Sequence, residues 1–366
     1  MSGVWGENIK LSIFGESHGR GIGIILSGLP AGLELDLGFL KKELSRRTPG
    51  RSKLSTARKE EDEFTILSGY FNGRTTGSPL SFLIENKDQR TGDYDDLKET
   101  PRPGHADYPA RVKYLGYNDY RGGGHFSGRL TAPLLLAGAI AQQVLSQRQI
   151  VIGSHILSIG GVREEGFDPV RISPQVLQKL KAKEFPVLDE TQGQKMEAEI
   201  LEVKAEQDSV GGIVETAVVG LPVGVGSPFF DSAESKLAHL LFAIPAVKGV
   251  EFGAGFEVAK MRGSQANDQF RWQEGKVVTS TNHNGGIQGG LTNGMPLVFR
   301  TAFKPTPSIG LPQRTVHLLR KEEVAIKIKG RHDPCIVPRA VPVVEAVAAL
   351  AILDLIIAKD GTAWMS

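Results

Sequence analysis

Residues 130–147 and 341–358 are apolar at most positions around a helical turn. That is the pattern of a helix covered on both sides, not of a surface helix with one buried stripe. The second stretch contains Glu345 and Asp354. Carboxylates are costly in lipid, so it reads as a buried core helix and not a membrane span. Strand candidates at 22–26, 81–85, 212–219 and 296–301 are rich in β-branched residues or alternate in polarity. The pattern predicts an α+β layered core, with long apolar helices between sheets.

The pattern also repeats. Glu16-Ser17-His18-Gly19 and Ser27-Gly28-Leu29-Pro30-Ala31-Gly32 return as Asp208-Ser209-Val210-Gly211 and Val219-Gly220-Leu221-Pro222-Val223-Gly224, each displaced by 192 residues. Thr75-Thr76-Gly77-Ser78-Pro79-Leu80-Ser81-Phe82 is echoed by Thr292-Asn293-Gly294-Met295-Pro296-Leu297-Val298-Phe299, and Arg129-Leu130-Thr131-Ala132-Pro133 by Arg339-Ala340-Val341-Pro342. Matches in one order argue for a duplicated unit, about 8–150 and 200–358. A pseudo-two-fold would put the loops before the two apolar helices on one side, bringing His105 and Asp107 toward His332 and Asp333. Between the halves, 164–206 is charged and reads as a solvated helical insertion. Residues 90–104 and 261–285 read as long loops, the second a candidate for mobility.

With 366 residues, 40% of them hydrophobic, the chain can bury a large core, and length alone suggests two domains. Forty-three basic against 41 acidic residues leave a net charge of +2, so any anion-binding patch must be local. The single cysteine, Cys335, rules out an internal disulfide and fits a reducing compartment. There is no signal-peptide-like run at the start. These features lead us to expect a cytoplasmic protein without a membrane or nucleic-acid partner.

Candidate chemistry gathers in glycine-rich stretches, where a backbone can approach a ligand closely. They are Phe14-Gly15-Glu16-Ser17-His18-Gly19-Arg20-Gly21, Arg102-Pro103-Gly104-His105-Ala106-Asp107, Tyr120-Arg121-Gly122-Gly123-Gly124-His125-Phe126-Ser127-Gly128-Arg129 and Lys329-Gly330-Arg331-His332-Asp333-Pro334-Cys335. The basic run Arg46-Arg47-Thr48-Pro49-Gly50-Arg51-Ser52-Lys53, continued by Arg58 and Lys59, suits a polyanion. Taken alone, these residues leave plain alternatives open. The glycines also suit turns, the basic run a solvated loop or nucleic-acid contact, the serines turn caps, and Asp333-Pro334 a helix start.

These motifs, in this order, resemble chorismate synthase. So do Leu44-Ser45-Arg46-Arg47-Thr48-Pro49-Gly50, Ala246-Val247-Lys248-Gly249-Val250-Glu251, Asn282-His283-Asn284-Gly285-Gly286 and Lys304-Pro305-Thr306-Pro307-Ser308. The resemblance runs from about residue 8 to about residue 358. It implies a β-α-β sandwich of two pseudo-equivalent halves in one domain, 1–366, in place of the two domains suggested by length. It also implies a 1,4-anti elimination of phosphate from 5-enolpyruvylshikimate 3-phosphate, redox neutral but requiring reduced FMN.

Carried over by position, the resemblance makes His18 the general acid near the departing phosphate. His105 protonates or neutralises the reduced flavin, and Asp333 is the base acting through the flavin N5 side. FMN would meet His125, Phe126, Ser127, Pro245, Ala246, Gly289, Lys304, Pro305, Thr306, Pro307, Ser308 and Arg331. Ser17, Arg47, Lys53, Arg129 and Arg339 fall on the substrate or NADP side, and no metal is implied. His125-Phe126 stand where other members have Arg-Ser, which favours backbone contact there. Lys53 replaces an arginine and forfeits bidentate geometry. NADPH is implied only for members that reduce their own flavin; others depend on a separate flavin reductase. Members are commonly homotetramers.

Three other functions compete. A hydrolase using Ser17 or Ser127 lacks the Gly-x-Ser-x-Gly setting. A nucleic-acid binder fits poorly with near-zero charge and 7% aromatic residues. An ordinary nicotinamide oxidoreductase lacks a clear Gly-x-Gly-x-x-Gly fingerprint.

Overall fold

A computed structural model describes residues 3–48, 54, 62–87, 98–328 and 333–365. The first half runs β1 (Val4–Trp5), β2 (Lys10–Gly15), β3 (Gly21–Ser27), α1 (Leu37–Arg47), β4 (Phe64–Ser68), β5 (Tyr70–Phe71), β6 (Arg74–Thr75), β7 (Leu80–Glu85), α2 (Asp107–Lys113) and α3 (Thr131–Ser146). The second begins with β8 (Val151–Ile159), β9 (Val162–Arg163), α4 (Pro174–Ala182), α5 (Glu190–Ala205), β10 (Gly212–Val219), α6 (Ala233–Leu241) and β11 (Val247–Phe252). It continues through α7 (Gly263–Ala266), β12 (Phe270–Gln273), β13 (Lys276–Thr279), β14 (Ile287–Gln288), β15 (Leu291–Thr292), β16 (Leu297–Phe303), β17 (Gln313–His317), β18 (Glu322–Ile326) and α8 (Val337–Asp360).

Two antiparallel sheets, ordered β1-β2-β3-β7-β4 and β11-β16-β10-β8-β9, flank a layer containing α3 and α8. The half beginning at β2 and the half beginning at β8 share one order of elements and one order of strands. Their turns agree at the level of single hydrogen bonds. Leu33 N donates to Thr75 Oγ1 at 3.0 Å, and Val225 N to Thr292 Oγ1 at 2.9 Å. The same hydroxyls donate to Pro30 O at 2.5 Å and to Pro222 O at 2.6 Å. Gly28 and Gly220 both have φ in the left-handed region, where a Cβ would strike the backbone oxygen of Asn8 or Gln149. This is the α+β sandwich expected, with two pseudo-equivalent halves.

The apolar helices bury nearly all their side chains because sheets and neighbouring helices surround them. Close approach of α3 to α8 needs a residue without a Cβ: one built on Gly138 would lie 2.3 Å from Ala346 Cβ. α8 is long and apolar enough to cross a membrane by composition, but it is buried in the protein. Its two buried carboxylates are both satisfied. Glu345 accepts from Arg46 and from Ser154 N, while Asp354 accepts from the amides of Asn8 and Ile9.

Three expectations change. Segment 164–206 is helical, but it is not simply a solvated insertion. Leu177 and Leu180 of α4 pack with Phe167, Ala217, Val219 and Val298 on the outer face of the second sheet. Segment 261–285 is not one long loop, since it holds α7 and the β12–β13 hairpin. The Asp268 carboxylate fastens that hairpin by accepting from Thr281, His283 and Asn284. Arg46 turns inward to Glu345 and Glu43 instead of joining an anion pocket.

Beneath the outer helices a row of alternating charges crosses the second sheet. His155, Glu215, Arg300 and Glu251 are partners in register on β8, β10, β16 and β11. Glu164 closes the row, 2.5 Å from His155 Nδ1, and Glu215 lies 2.9 Å from Nε2. Burial alone would lower the His155 imidazole, but the two glutamates outweigh it and raise it above its ordinary value. Burial would raise Glu215, but His155, Phe167 N and Arg300 hold it down. A raised histidine stabilises below its unfolded value and loses that contribution as pH rises through its folded value. A lowered glutamate stabilises above its unfolded value and loses it as pH falls through its folded value. Leaving a buried charge unpaired costs roughly 3–5 kcal/mol. His155→Leu removes the cation facing Glu164 and leaves Glu215 to Arg300, so it is expected to lose up to about that much stability near pH 7 in urea unfolding, with a deficit that shrinks as pH falls and Glu215 takes up a proton.

Candidate active site

Three glycines in the turn Arg121–Phe126, at Gly122, Gly123 and Gly124, all have positive φ and no side chain. A Cβ on Gly122 would lie 2.1 Å from His18 Nδ1, and one on Gly123 would lie 3.1 Å from His105 Nε2. Adjacent Cα atoms are about 3.8 Å apart. Two imidazoles from separate motifs thus rest against consecutive residues of one turn. His18 sits in the turn from β2 to β3, is only 3% exposed, and has Nδ1 3.3 Å from Ser17 Oγ. Ser17 N donates to Gly124 O at 3.1 Å, tying that turn to the triglycine.

A polar chain leads away from His18. Asn86 donates to the carbonyls of Glu16 and Gly19, and accepts from Arg129 Nε at 2.9 Å. Arg129 and Arg47 meet on Asp62, at 2.5 and 3.0 Å. Arg47, at the end of α1, also donates to Thr131 Oγ1 and Gly128 O. Its own carbonyl accepts from Arg339 Nε at 2.9 Å, and Arg339 pairs with Asp333. The helix-start reading of Asp333 is not what the geometry shows, because the N-cap of α8 is Ile336, without a side-chain cap.

A second chain leads from His105. Its Nδ1 lies 2.6 Å from Asp107 Oδ1, and Asp107 also receives Arg102. Burial would raise the Asp107 carboxyl, but hydrogen bonds from Arg102 and His105 outweigh it and hold it well below the ordinary carboxylate range. Arg102 reaches Ser308 Oγ at 3.2 Å, and Lys304 Nζ donates to Gly104 O. Burial and nearby Lys248 lower the Lys304 ammonium. Ala246 O accepts from Lys304 N at 3.0 Å, which brings Pro245 and Ala246 beside the loop Lys304, Pro305, Thr306, Pro307 and Ser308. Ser209 Oγ donates to Thr306 O, and Val210 N to Pro334 O, so the Asp333 segment adjoins that loop too.

The structure thus gathers His18, His105, Asp333, Ser17, Arg47, Arg129, Arg339 and the 304–308 loop at the ends of the strands before the two apolar helices. His125 is exposed at the edge, with Nδ1 2.9 Å from Gly15 O, and the Phe126 ring lies tilted against Tyr114, centroids 6.2 Å apart. Ser127 does cap a turn, accepting from Arg129 N at 3.3 Å. Gly289 is not brought to this cluster. It lies in the β14–β15 turn ahead of Leu297, whereas Lys304 follows Phe303, so the whole length of β16 separates them. Lys53 and Arg331 lie outside the described residues, as do Arg51, Arg58, Lys59 and His332. Asp62, Asn86, Arg102 and Asp107 were not predicted as site residues. Arg102 and Asp107 did lie in the motif that carries His105, whereas Asp62 and Asn86 gave no local signal. Among the described residues no group of three or more His, Cys, Asp or Glu could hold a metal.

The chorismate synthase family model matches residues 9–357. A chorismate synthase of Thermococcus kodakarensis is 50% identical over 359 residues, 98% of each chain. One of Pyrococcus abyssi is 51% identical over 350 residues, 95% of this chain and 96% of its own. A crystal structure of chorismate synthase superposes with a TM-score of 0.76 at 30% identity, covering 98% of this chain and 94% of that one.

The triglycine seat can be tested directly. Gly122→Ala is expected to displace His18 and lower turnover by roughly 10²-fold. Gly161→Ala, whose Cβ would meet nothing within 4 Å, serves as the control. Steady-state kinetics, with circular dichroism to confirm folding, distinguish the two.

Proposed function

This chain belongs to the chorismate synthase family, and from that premise we propose that it eliminates phosphate from 5-enolpyruvylshikimate 3-phosphate in a 1,4-anti sense, with reduced FMN bound and no net redox change. The observation that carries this reading is the seating of His18 and His105 on consecutive glycines beside converging arginines. Proton transfer at neutral pH suits imidazole, and guanidinium suits phosphate and carboxylate. A substrate with one phosphate and two carboxylates fits arginines gathered in this way.

The residues present also fit the flavin. The 304–308 loop offers a lysine and hydroxyls close to His105, and the buried Thr306 hydroxyl there has no partner among the described residues. When bound, reduced FMN supplies electron density to the substrate as phosphate departs. His18 donates a proton to the leaving phosphate, and His105 balances charge near the flavin. Asp333, oriented by Arg339, is the base for the ring hydrogen. Arg47, Arg129 and Arg339 orient the anionic groups, and the buried setting of His18 excludes water. Exposed Phe229, Phe230, Phe256 and Trp272 provide apolar surface for a homotetramer. The single buried thiol is in keeping with the cytoplasm.

An anaerobic assay with chemically reduced FMN and the enolpyruvyl phosphate tests the reaction. Repeating it with oxidised FMN and NADPH shows whether the protein reduces its own flavin. His18→Ala and His105→Ala are each expected to lower turnover by roughly 10²-fold or more while the fold is kept. Asp333→Asn keeps an acceptor for Arg339 but has no basic lone pair, so it should fold, bind both ligands and slow by a similar factor. Near-normal turnover in that variant would remove Asp333 as the base.

A further inference from the structure

Asp107 has no role in the elimination as described, yet it is the most heavily engaged carboxylate beside His105. Its Oδ2 accepts from Arg102 N at 3.0 Å and from Arg102 Nε at 2.7 Å. Its Oδ1 accepts from an Arg102 terminal nitrogen at 2.8 Å and faces His105 Nδ1 at 2.6 Å. A carboxylate held well below its ordinary range is ionised and only accepts. A bare Nδ1 lone pair at 2.6 Å from that oxygen would be repelled, so the short contact requires the ring proton on Nδ1. The same Arg102 nitrogen is 3.1 Å from His105 Nδ1, but both groups are donors and both are directed at Oδ1. That nitrogen also lies 3.4 Å from Nε2, and the Cε1–Nε2 side of the ring rests against Gly123.

We propose that Asp107 is the positioning residue of His105: it holds the proton on Nδ1, presents Nε2 to the site, and through Arg102 and Ser308 ties that orientation to the 304–308 loop. The inference rests on His105 acting in the reaction, but the tautomer itself can be read without any ligand. Asparagine cannot replace Asp107 here. Donors converge on both oxygens, so either orientation of the amide turns its NH2 against donors from Arg102.

The test is NMR of the full-length protein with 15N-labelled histidine, free of flavin and substrate. Recorded at a pH high enough to leave a single ring proton, the wild-type spectrum should show that proton of His105 on Nδ1; finding it on Nε2 would overturn the proposal without recourse to any variant. In Asp107→Asn the Nδ1–H preference should be lost, and turnover should fall by roughly 10²-fold with KM for the enolpyruvyl phosphate changed by less than about threefold. An unchanged Nδ1–H pattern in the variant overturns the positioning role. If the single variant does not fold, the neutral pair Arg102→Gln with Asp107→Asn is read by the same criterion. If the tautomer shifts while turnover stays at the wild-type level, control of the proton by Asp107 stands, and the part given to His105 in the reaction is what fails.

Discussion

A helix layer with no wet face governs this molecule. α3 and α8 are enclosed by two sheets and by each other, so a polar group carried along their buried length must find its partner inside the protein. Glu345 finds Arg46, near the end of α1, and that pairing ties the end of α1 to α8. The next residue, Arg47, then faces Thr131 at the start of α3 and Asp62, where Arg129 also arrives. A charge buried in the core thereby sets the position of guanidiniums in the site. The close contact at Gly138 and Ala346 sets the spacing of the two helices and, with it, the spacing of the loops that precede them.

The site is built from ties between segments distant in sequence, and most of them use a backbone atom on one side. Ser17 meets Gly124, Arg339 meets the Arg47 carbonyl, Lys304 meets the Gly104 carbonyl, and Val210 meets Pro334. Backbone partners do not depend on side-chain identity at one end, so the loops are registered by their course through space. Side-chain pairs such as Arg102 with Asp107 then adjust orientation within that frame.

How legible all this was depended on whether a residue's partner was local. The strand 212–219 was readable from its β-branched residues, and the long apolar helices because burial on most faces leaves a continuous apolar record. The β12–β13 hairpin was not, because Phe270, Arg271, Trp272 and Gln273 are all exposed and no inward face imposes alternation. Leu177, Leu180, Met196 and Ile200 sit among charges, so 164–206 read as solvated although these side chains are buried. His18 and His105 stood out through their glycines. Arg46 looked like a ligand for anions because its partner, Glu345, lies 299 positions away. Asp62 and Asn86 carry no motif, and their place in the site follows only from the fold.

Asp354 accepts the amides of Asn8 and Ile9 from 346 and 345 positions further along the chain. Ribosomes add roughly 5–20 residues per second, so the acceptor that closes the entrance to β2 is made tens of seconds after the strand itself. The same delay applies to α8, which covers the second sheet and packs on α1 and α3. Until then the first half is a sheet with part of its cover missing and its leading amides open to water. Folding to the native state is therefore an event that follows release of the last helix, and a nascent chain stalled before about residue 350 holds a first half that cannot close.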